Sequence, residues 1–368
     1  MDIKAHSKIY QVYFEKDFDF IKKLAAIEQS LWVIDKNVYE LYKDKLIEHI
    51  PSETIMLIEA KEENKVIETA LSICEKMTEL PGKRNITLIS MGGGIIQDIT
   101  GFAANILYRG IKWVFVPTTL LASCDSCIGS KTSLNYKKFK NLLGTFYPPD
   151  ELHICPKFFD TLSQIDFMSG MGEVVKFNVM AGSRDMVKLH QDLPYILQKD
   201  GHKIEEYVRK SLEFKKAFIE ADEYDRGVRI HLNFAHTFGH AFETVTNYAI
   251  PHGTAVAMGT IVADEVSYRR GWLSEHLKND IQDLLLKILP VPLLEKKNGF
   301  QLSSLSDMDE IMKAIRKDKK QVDMNYTAVL FKNNDLELEI VHDLERSEVE
   351  KAVEELIVLL KNVFSQNG

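Results

Sequence analysis

Residues 85–108 read NITLISMGGGIIQDITGFAANILY. A short aliphatic run ends in Gly92, Gly93 and Gly94, and the segment after them carries apolar residues at helical spacing. A buried strand that turns through glycine into a helix is the unit from which parallel sheets are built. Backbone without Cβ approaches a pyrophosphate closely, and the helix N-terminus adds exposed N–H groups and a favourable dipole. The spacing is G-G-G-x-x-Q-D and not the G-x-G-x-x-G of the common dinucleotide fold, so a nucleotide cradle and a tight structural turn are both open readings. Asp98, one turn into the helix, is placed to meet a ribose hydroxyl or simply to face solvent.

The same alternation extends on both sides. SLWVID (30–35), ETIMLIE (53–59), KWVFVPTT (112–119) and ELHIC (151–155) read as strands, and VYELYKDKLIEHI (38–50) and NKVIETALSICEKMTEL (64–80) as helices. Asp35 and Asn37 follow one strand end, and Glu62 and Lys65 the next. Ligands of parallel sheets collect at the carboxyl ends of the strands. Past residue 160 the texture becomes helical, from DFMSGMGEVVKFNVMAG (166–182) through RIHLNFAHTFGHAFETV (229–245) to RSEVEKAVEELIVLLKNVF (346–364). One late β signal, YTAVLFKNNDLELEIV (326–341), has Asn-Asn-Asp at its middle and reads as a hairpin. The expected fold class is therefore α/β, with a parallel-sheet domain over residues 1–162 and a mainly α-helical domain over residues 163–368. Chemistry is expected in a cleft between the two.

At 368 residues the chain is long enough for two cores. A net charge of −8 gives no basic face for nucleic acid, and no apolar run is long enough to span a membrane. The opening MDIKAHSK has no apolar signal core, so the expected compartment is the cytoplasm. Four cysteines in a chain of this length make no disulfide framework, and Cys124 and Cys127 form a lone C-x-x-C without a partner pair.

Two stretches carry the chemistry. Residues 116–149, VPTTLLASCDSCIGSKTSLNYKKFKNLLGTFYPP, read as a long polar loop in which Lys131, Asn135, Lys140 and Asn141 suit a phosphate, with Arg109 in reach. A solvated surface loop with ordinary lysines, including the cluster Lys137, Lys138 and Lys140, is the bland alternative. Residues 231–253 hold four of the eleven histidines. His236 and His240 are four apart, on one face of a helix, and the turn before His252 can swing it alongside. Glu173 is a carboxylate within an apolar helical segment, where burial is costly unless the charge is paired or ligated. Two histidines and a carboxylate are the donors of a catalytic zinc site, while satisfied core histidines remain the alternative. Lys176, Lys215 and Arg229 in neighbouring segments point to an anionic substrate, and Arg229 is expected on the same helix as His236, two turns before it.

These blocks together resemble the 3-dehydroquinate synthases, the founding family of the sugar phosphate cyclases. The matching stretches are VIDKNVYELY, GGGIIQDITGFAANILYRGI, VPTTLLASCDSCIGSKTSLN, KNLLGTFYPP, GMGEVVKF, DEYDRGVRIHLNFAHTFGHAFE, PHGTAVAMG and RKDKK, in order and almost end to end. The resemblance implies a Rossmann-like first domain binding NAD through Asp35, Asn37, Glu62, Lys65, Gly93, Gly94, Asp98, Thr118, Thr119, Lys140 and Thr161. It implies one divalent metal, zinc or cobalt, on Glu173, His236 and His252. It makes His240, Lys176, Lys215 and Asp225 catalytic, and gives the phosphorylated substrate Arg109, Asp125, Lys131, Asn141, Arg229, Asn233 and Lys319 or Lys320, with Lys140 also near the phosphate. The implied reaction cyclises 3-deoxy-D-arabino-heptulosonate 7-phosphate to 3-dehydroquinate in the shikimate pathway, by a cytoplasmic homodimer. This sequence departs from the family pattern at Lys61, Gln97 and Ser130, where glycine is usual, and at Asp225 and Thr254, where glutamate is usual. Those departures keep a sibling cyclase acting on sedoheptulose 7-phosphate, glucose 6-phosphate or an amino analogue in view.

Overall fold

The computed structural model describes residues 1–137, 139–317 and 326–366. The chain forms two compact units: Met1–Leu162 together with Gly201–Asp225, and Ser163–Asp200 together with the chain from Arg226 onward. A single boundary after residue 162 is therefore too simple, because the chain crosses back. The helix Gly201–Ala221 packs with the first unit and is pinned there by Lys215, whose Nζ donates to the Asp125 carbonyl at 2.6 Å and to its carboxylate at 2.8 Å.

The first unit is built on a seven-stranded sheet. Its strands are β1 (Asp2–Lys4), β2 (Ile9–Phe14), β3 (Ser30–Asp35), β4 (Ile55–Ile58), β5 (Thr87–Gly92), β6 (Trp113–Pro117) and, after a separate hairpin of β7 (Lys131–Tyr136) and β8 (Phe139–Phe146), β9 (Glu151–Ile154). The order across the sheet is β1-β2-β9-β6-β5-β3-β4. Only β1 pairs antiparallel; the other neighbours run parallel. Every residue of β5 and β6 is buried, as strands covered on both faces require. From β3 the chain steps outward to β4, then returns to the other side of β3 to form β5. The order thus reverses between β3 and β5, the point where open parallel sheets leave a crevice at their carboxyl ends.

Residues 116–149 are not the loop their polarity suggests. A π-helical turn, Ala122–Ser126, leads into the β7–β8 hairpin, with Lys131 opposite Phe146 and Thr132 opposite Thr145. Thr132 and Leu134 alternate inward and are buried, which anchors the hairpin.

The second unit is mainly helical, with one antiparallel hairpin among its described residues, β10 (Tyr326–Phe331) and β11 (Leu338–Leu344), where the Asn-Asn-Asp turn predicts it. Its centre is the helix His252–Arg269, buried without interruption from residue 253 to 267. A helix buried on every side is one that neighbours surround completely. No helix among the described residues is long and apolar enough to cross a membrane.

Candidate active site

In the second unit, Glu173 sits within the helix Gln164–Met180, while His236 opens the helix His236–Val245 and His252 opens the central one. Glycine lets these helices touch backbone to backbone. A Cβ on Gly172 would stand 1.9 Å from the Gly253 carbonyl oxygen, and one on Gly253 would stand 1.8 Å from that of Ser169. A Cβ on Gly259 would meet the Ala235 carbonyl oxygen at 2.4 Å. Each crossing is within one residue of a site side chain, so the glycines set the distances between Glu173, His252 and His236. The continuous helix expected over 229–245 is broken. Val228–Asn233 is a 3-10 segment, and Ala235 adopts a left-handed φ of 68° that redirects the chain into His236. Arg229 is consequently buried in the 3-10 segment and not two helical turns below His236.

Three of these side chains converge. Nε2 of His236 and Nε2 of His252 each lie 3.5 Å from Oε1 of the wholly buried Glu173. One ligand atom from each of the three falls within 4.8 Å of the others, a donor set that fits a divalent ion with an open coordination position. His240 shares the face, its ring 5.4 Å from that of His236 and 5.9 Å from that of His252. Lys176, buried one turn after Glu173, places Nζ 2.6 Å from its Oε2 and donates to the Leu232 carbonyl at 3.2 Å. Sequence reasoning missed Glu243, three residues after His240, whose Oε2 is 3.3 Å from His252 Nδ1. Burial alone would push the His252 imidazole down, but the Glu243 and Glu173 carboxylates outweigh it and hold the group up to about 10. A cation arriving here displaces a proton. Asn233 ends the 3-10 segment, half-buried. Lys319 and Lys320 lie outside the described residues, as does Lys138.

The first unit gathers the other site residues. Asp35 ends β3 and caps the next helix by accepting from the Asn37 amide at 3.1 Å; burial is the main cause that pushes its carboxyl up. Gly93 caps the helix Gly94–Ile106 without a side chain, and a Cβ there would meet Thr119 at 3.1 Å, so the turn is tight as well as open-ended. Thr118 is buried beside it, whereas Thr161 bonds the Tyr42 hydroxyl at 3.0 Å. Asp98 does not face solvent: it accepts from Lys65 Nζ at 2.5 Å and from the Ser133 amide at 3.1 Å. Lys65 also donates to Asn141 at 2.7 Å, Glu62 accepts from Asn135 at 2.8 Å, and Lys140 stands 3.7 Å from Glu62. Lys131 is paired with Asp225 at 2.5 Å. Each of these lysines, with Lys215, thus faces a carboxylate of its own unit, and a bound anion would compete with that carboxylate.

Three of the departures, at Ser130, Lys61 and Gln97, have a readable local setting, while nothing in the structure explains Asp225 or Thr254 in place of glutamate. Ser130 has a φ of 64°, the left-handed region that favours glycine, and Arg109, Asn141 and Asp225 are left-handed at 67°, 51° and 58°. Backbone strain of this kind collects at binding sites. Lys61 has an ordinary φ of −106°, so nothing there requires glycine. Gln97 donates to the Ser126 carbonyl and accepts from its hydroxyl, both at 2.7 Å, tying the glycine-turn helix to the π-helical turn. Just after that turn burial pushes the Cys127 thiol up to about 12, which keeps it protonated.

The first unit thus presents a glycine turn on a reversing parallel sheet, and the second a carboxylate with two imidazoles. The family model described as 3-dehydroquinate synthase N-terminal matches residues 55–169, and that described as 3-dehydroquinate synthase C-terminal matches residues 170–321. The 3-dehydroquinate synthase of Dictyoglomus turgidum is 34% identical over 361 residues, 96% of this chain and 98% of that one. That of Clostridium tetani is 33% identical, covering 95% of this chain and 92% of its own. The solved 2-epi-5-epi-valiolone synthase of Streptomyces hygroscopicus subsp. jinggangensis 5008, with NAD+ and Zn2+ bound, shares the fold at a TM-score of 0.81 and 24% identity, over 96% of this chain and 98% of that one. The chain belongs to the 3-dehydroquinate synthase family.

Proposed function

We propose that this enzyme converts 3-deoxy-D-arabino-heptulosonate 7-phosphate to 3-dehydroquinate with release of phosphate, holding NAD in the first unit and one divalent ion, zinc or cobalt, on Glu173, His236 and His252. The observation that carries the reading is the convergence of that carboxylate and those two imidazoles in a chain of this family. When bound, the two cofactors supply reversible hydride removal from a secondary alcohol and Lewis-acid stabilisation of the oxygen left behind. The chain's residues do the rest. Asp35, Asn37, Glu62, Lys65, Gly93, Gly94, Asp98, Thr118, Thr119, Lys140 and Thr161 bind and orient the nucleotide. Arg109, Lys131 and Asn141 hold the departing phosphate. His240, Lys176, Lys215 and Asp225 handle protons at the reacting hydroxyls and carbon, with Asp125 and Asn233 orienting them. The same reading makes the enzyme a cytoplasmic homodimer of the shikimate pathway.

A substrate carboxylate separates this activity from that of sibling cyclases, and Arg229 with Lys319 is its proposed partner. A guanidinium grips a carboxylate through two parallel hydrogen bonds that lysine does not reproduce. Losing such a charge-assisted pair costs about 1.5–3 kcal/mol, or roughly 10- to 150-fold in kcat/KM. Arg229→Lys should impose that loss on the 2-keto acid phosphate while leaving a carboxylate-free sugar phosphate nearly unaffected. Equal losses on both, or faster turnover of the carboxylate-free sugar by the unaltered protein, assigns the chain to a sibling cyclase.

A further inference from the structure

The two imidazoles of the proposed metal site are held unequally. His236 turns its Nδ1 to a neutral acceptor, the Phe234 carbonyl oxygen, at 3.0 Å. His252 turns its Nδ1 to a carboxylate, Oε2 of Glu243, at 3.3 Å, while its Nε2 faces Glu173. Glu243 stands on the helix His236–Val245 and His252 opens another, so this contact ties two ligand-bearing helices together. Its carboxylate is mostly enclosed, 15% exposed, so water screens the contact little.

We infer that Glu243 is a positioning residue for the metal: by accepting the Nδ1 proton of His252 it fixes the tautomer that leaves Nε2 as the ligand atom, and it raises the basicity of that nitrogen. An imidazole free to rotate presents either nitrogen and several orientations, whereas one hydrogen-bonded to a carboxylate behind it presents a single lone pair. Removing such an outer partner typically lowers metal affinity about 10- to 100-fold. The carboxylate behind His252 therefore tightens the site's hold on its ion. Glu243 is also within 4.8 Å of His240 and His252 as a possible donor in its own right, which makes a second ion there the rival explanation.

The inference rests on the proposed metal site, and one titration separates the two. Metal-stripped protein is titrated with Zn2+ against a competing chelator, and separately with Co2+ while its visible absorption is followed, in the unaltered chain, Glu243→Gln and Glu243→Asp. One ion per chain is expected, with affinity falling in the order Glu, Asp, Gln and a loss of about 10- to 100-fold for Gln. The Co2+ bands should change shape in the Gln variant, and the metal-free proteins should melt at similar temperatures. Affinity of Glu243→Gln within about twofold of the unaltered chain overturns the positioning role, and so does a stoichiometry of two ions that drops to one in the variant. If the Gln variant melts early without metal, the Asp variant decides: affinity equal to the unaltered chain's overturns the inference. A chain that binds no ion at all would instead remove the metal site on which the inference stands.

Discussion

Asp264 is wholly buried in the helix His252–Arg269, and neither carboxyl oxygen has a hydrogen-bond partner among the described residues. The nearby Lys278 ammonium is committed to the adjacent Glu265 at 2.9 Å. Burial pushes the Asp264 carboxyl well above its usual range, against the smaller pull of Lys278. A carboxyl that ionises more readily unfolded than folded carries no penalty below its unfolded value near 4, and it destabilises the fold increasingly as pH rises from there. Asp264→Asn keeps the shape and removes the ionisation. It should raise Tm by roughly 2–4 °C at pH 8 and by progressively less towards pH 4, read from melting curves across that range. A gain that is constant with pH would show that Asp264 does not titrate differently in the folded chain.

At the scale of elements, the site depends on how closely helices cross. Gly172 and Gly253 bring the helices of Glu173 and His252 into backbone contact, and a methyl group on Gly172 has a carbonyl oxygen 1.9 Å away that no side-chain rotation relieves. Gly172→Ala should therefore destabilise the chain by about 1–3 kcal/mol and lower its bound metal after dialysis, because separating the helices moves two donors apart. Gly201→Ala is the control, since nothing lies within 4 Å of a Cβ there. It should keep both stability and metal. Metal retained in full by Gly172→Ala would mean that the crossing does not set the ligand spacing. These crossings also mark the limit of what the sequence discloses. The spacing of His236 and His240 and the buried setting of Glu173 are readable from periodicity and burial cost, but the partner glycines become meaningful only once two helices are known to meet. Glu243 was missed for the same reason: its acceptor role depends on His252 arriving from another helix. The Ala235 break was hidden because a left-handed alanine leaves no glycine or proline as a signal.

At the scale of the whole molecule, the βα alternation and the late helical texture disclose both architectures, since each rests on local hydrophobic period. The return of residues 201–225 to the first unit does not, because a helix's apolar stripe records that it packs and not on what. The β7–β8 hairpin was masked by its polar exposed face, although Thr132 and Leu134 carried the alternation. The family resemblance added what periodicity lacks, proposed roles for residues scattered along a chain that aligns with these relatives over 95% or more of its length. As proposed, the enzyme removes and returns hydride within one turnover, so NAD is needed but never consumed. The most direct measurement is phosphate release from 3-deoxy-D-arabino-heptulosonate 7-phosphate, with excess substrate, Zn2+ and NAD in substoichiometric amount, while absorbance of NADH is followed in the same cuvette. Many phosphates released per NAD, a cyclic product identified as 3-dehydroquinate and no lasting rise of NADH are the expected result. NADH accumulating in step with product, or phosphate release that stops at one per NAD, would contradict it.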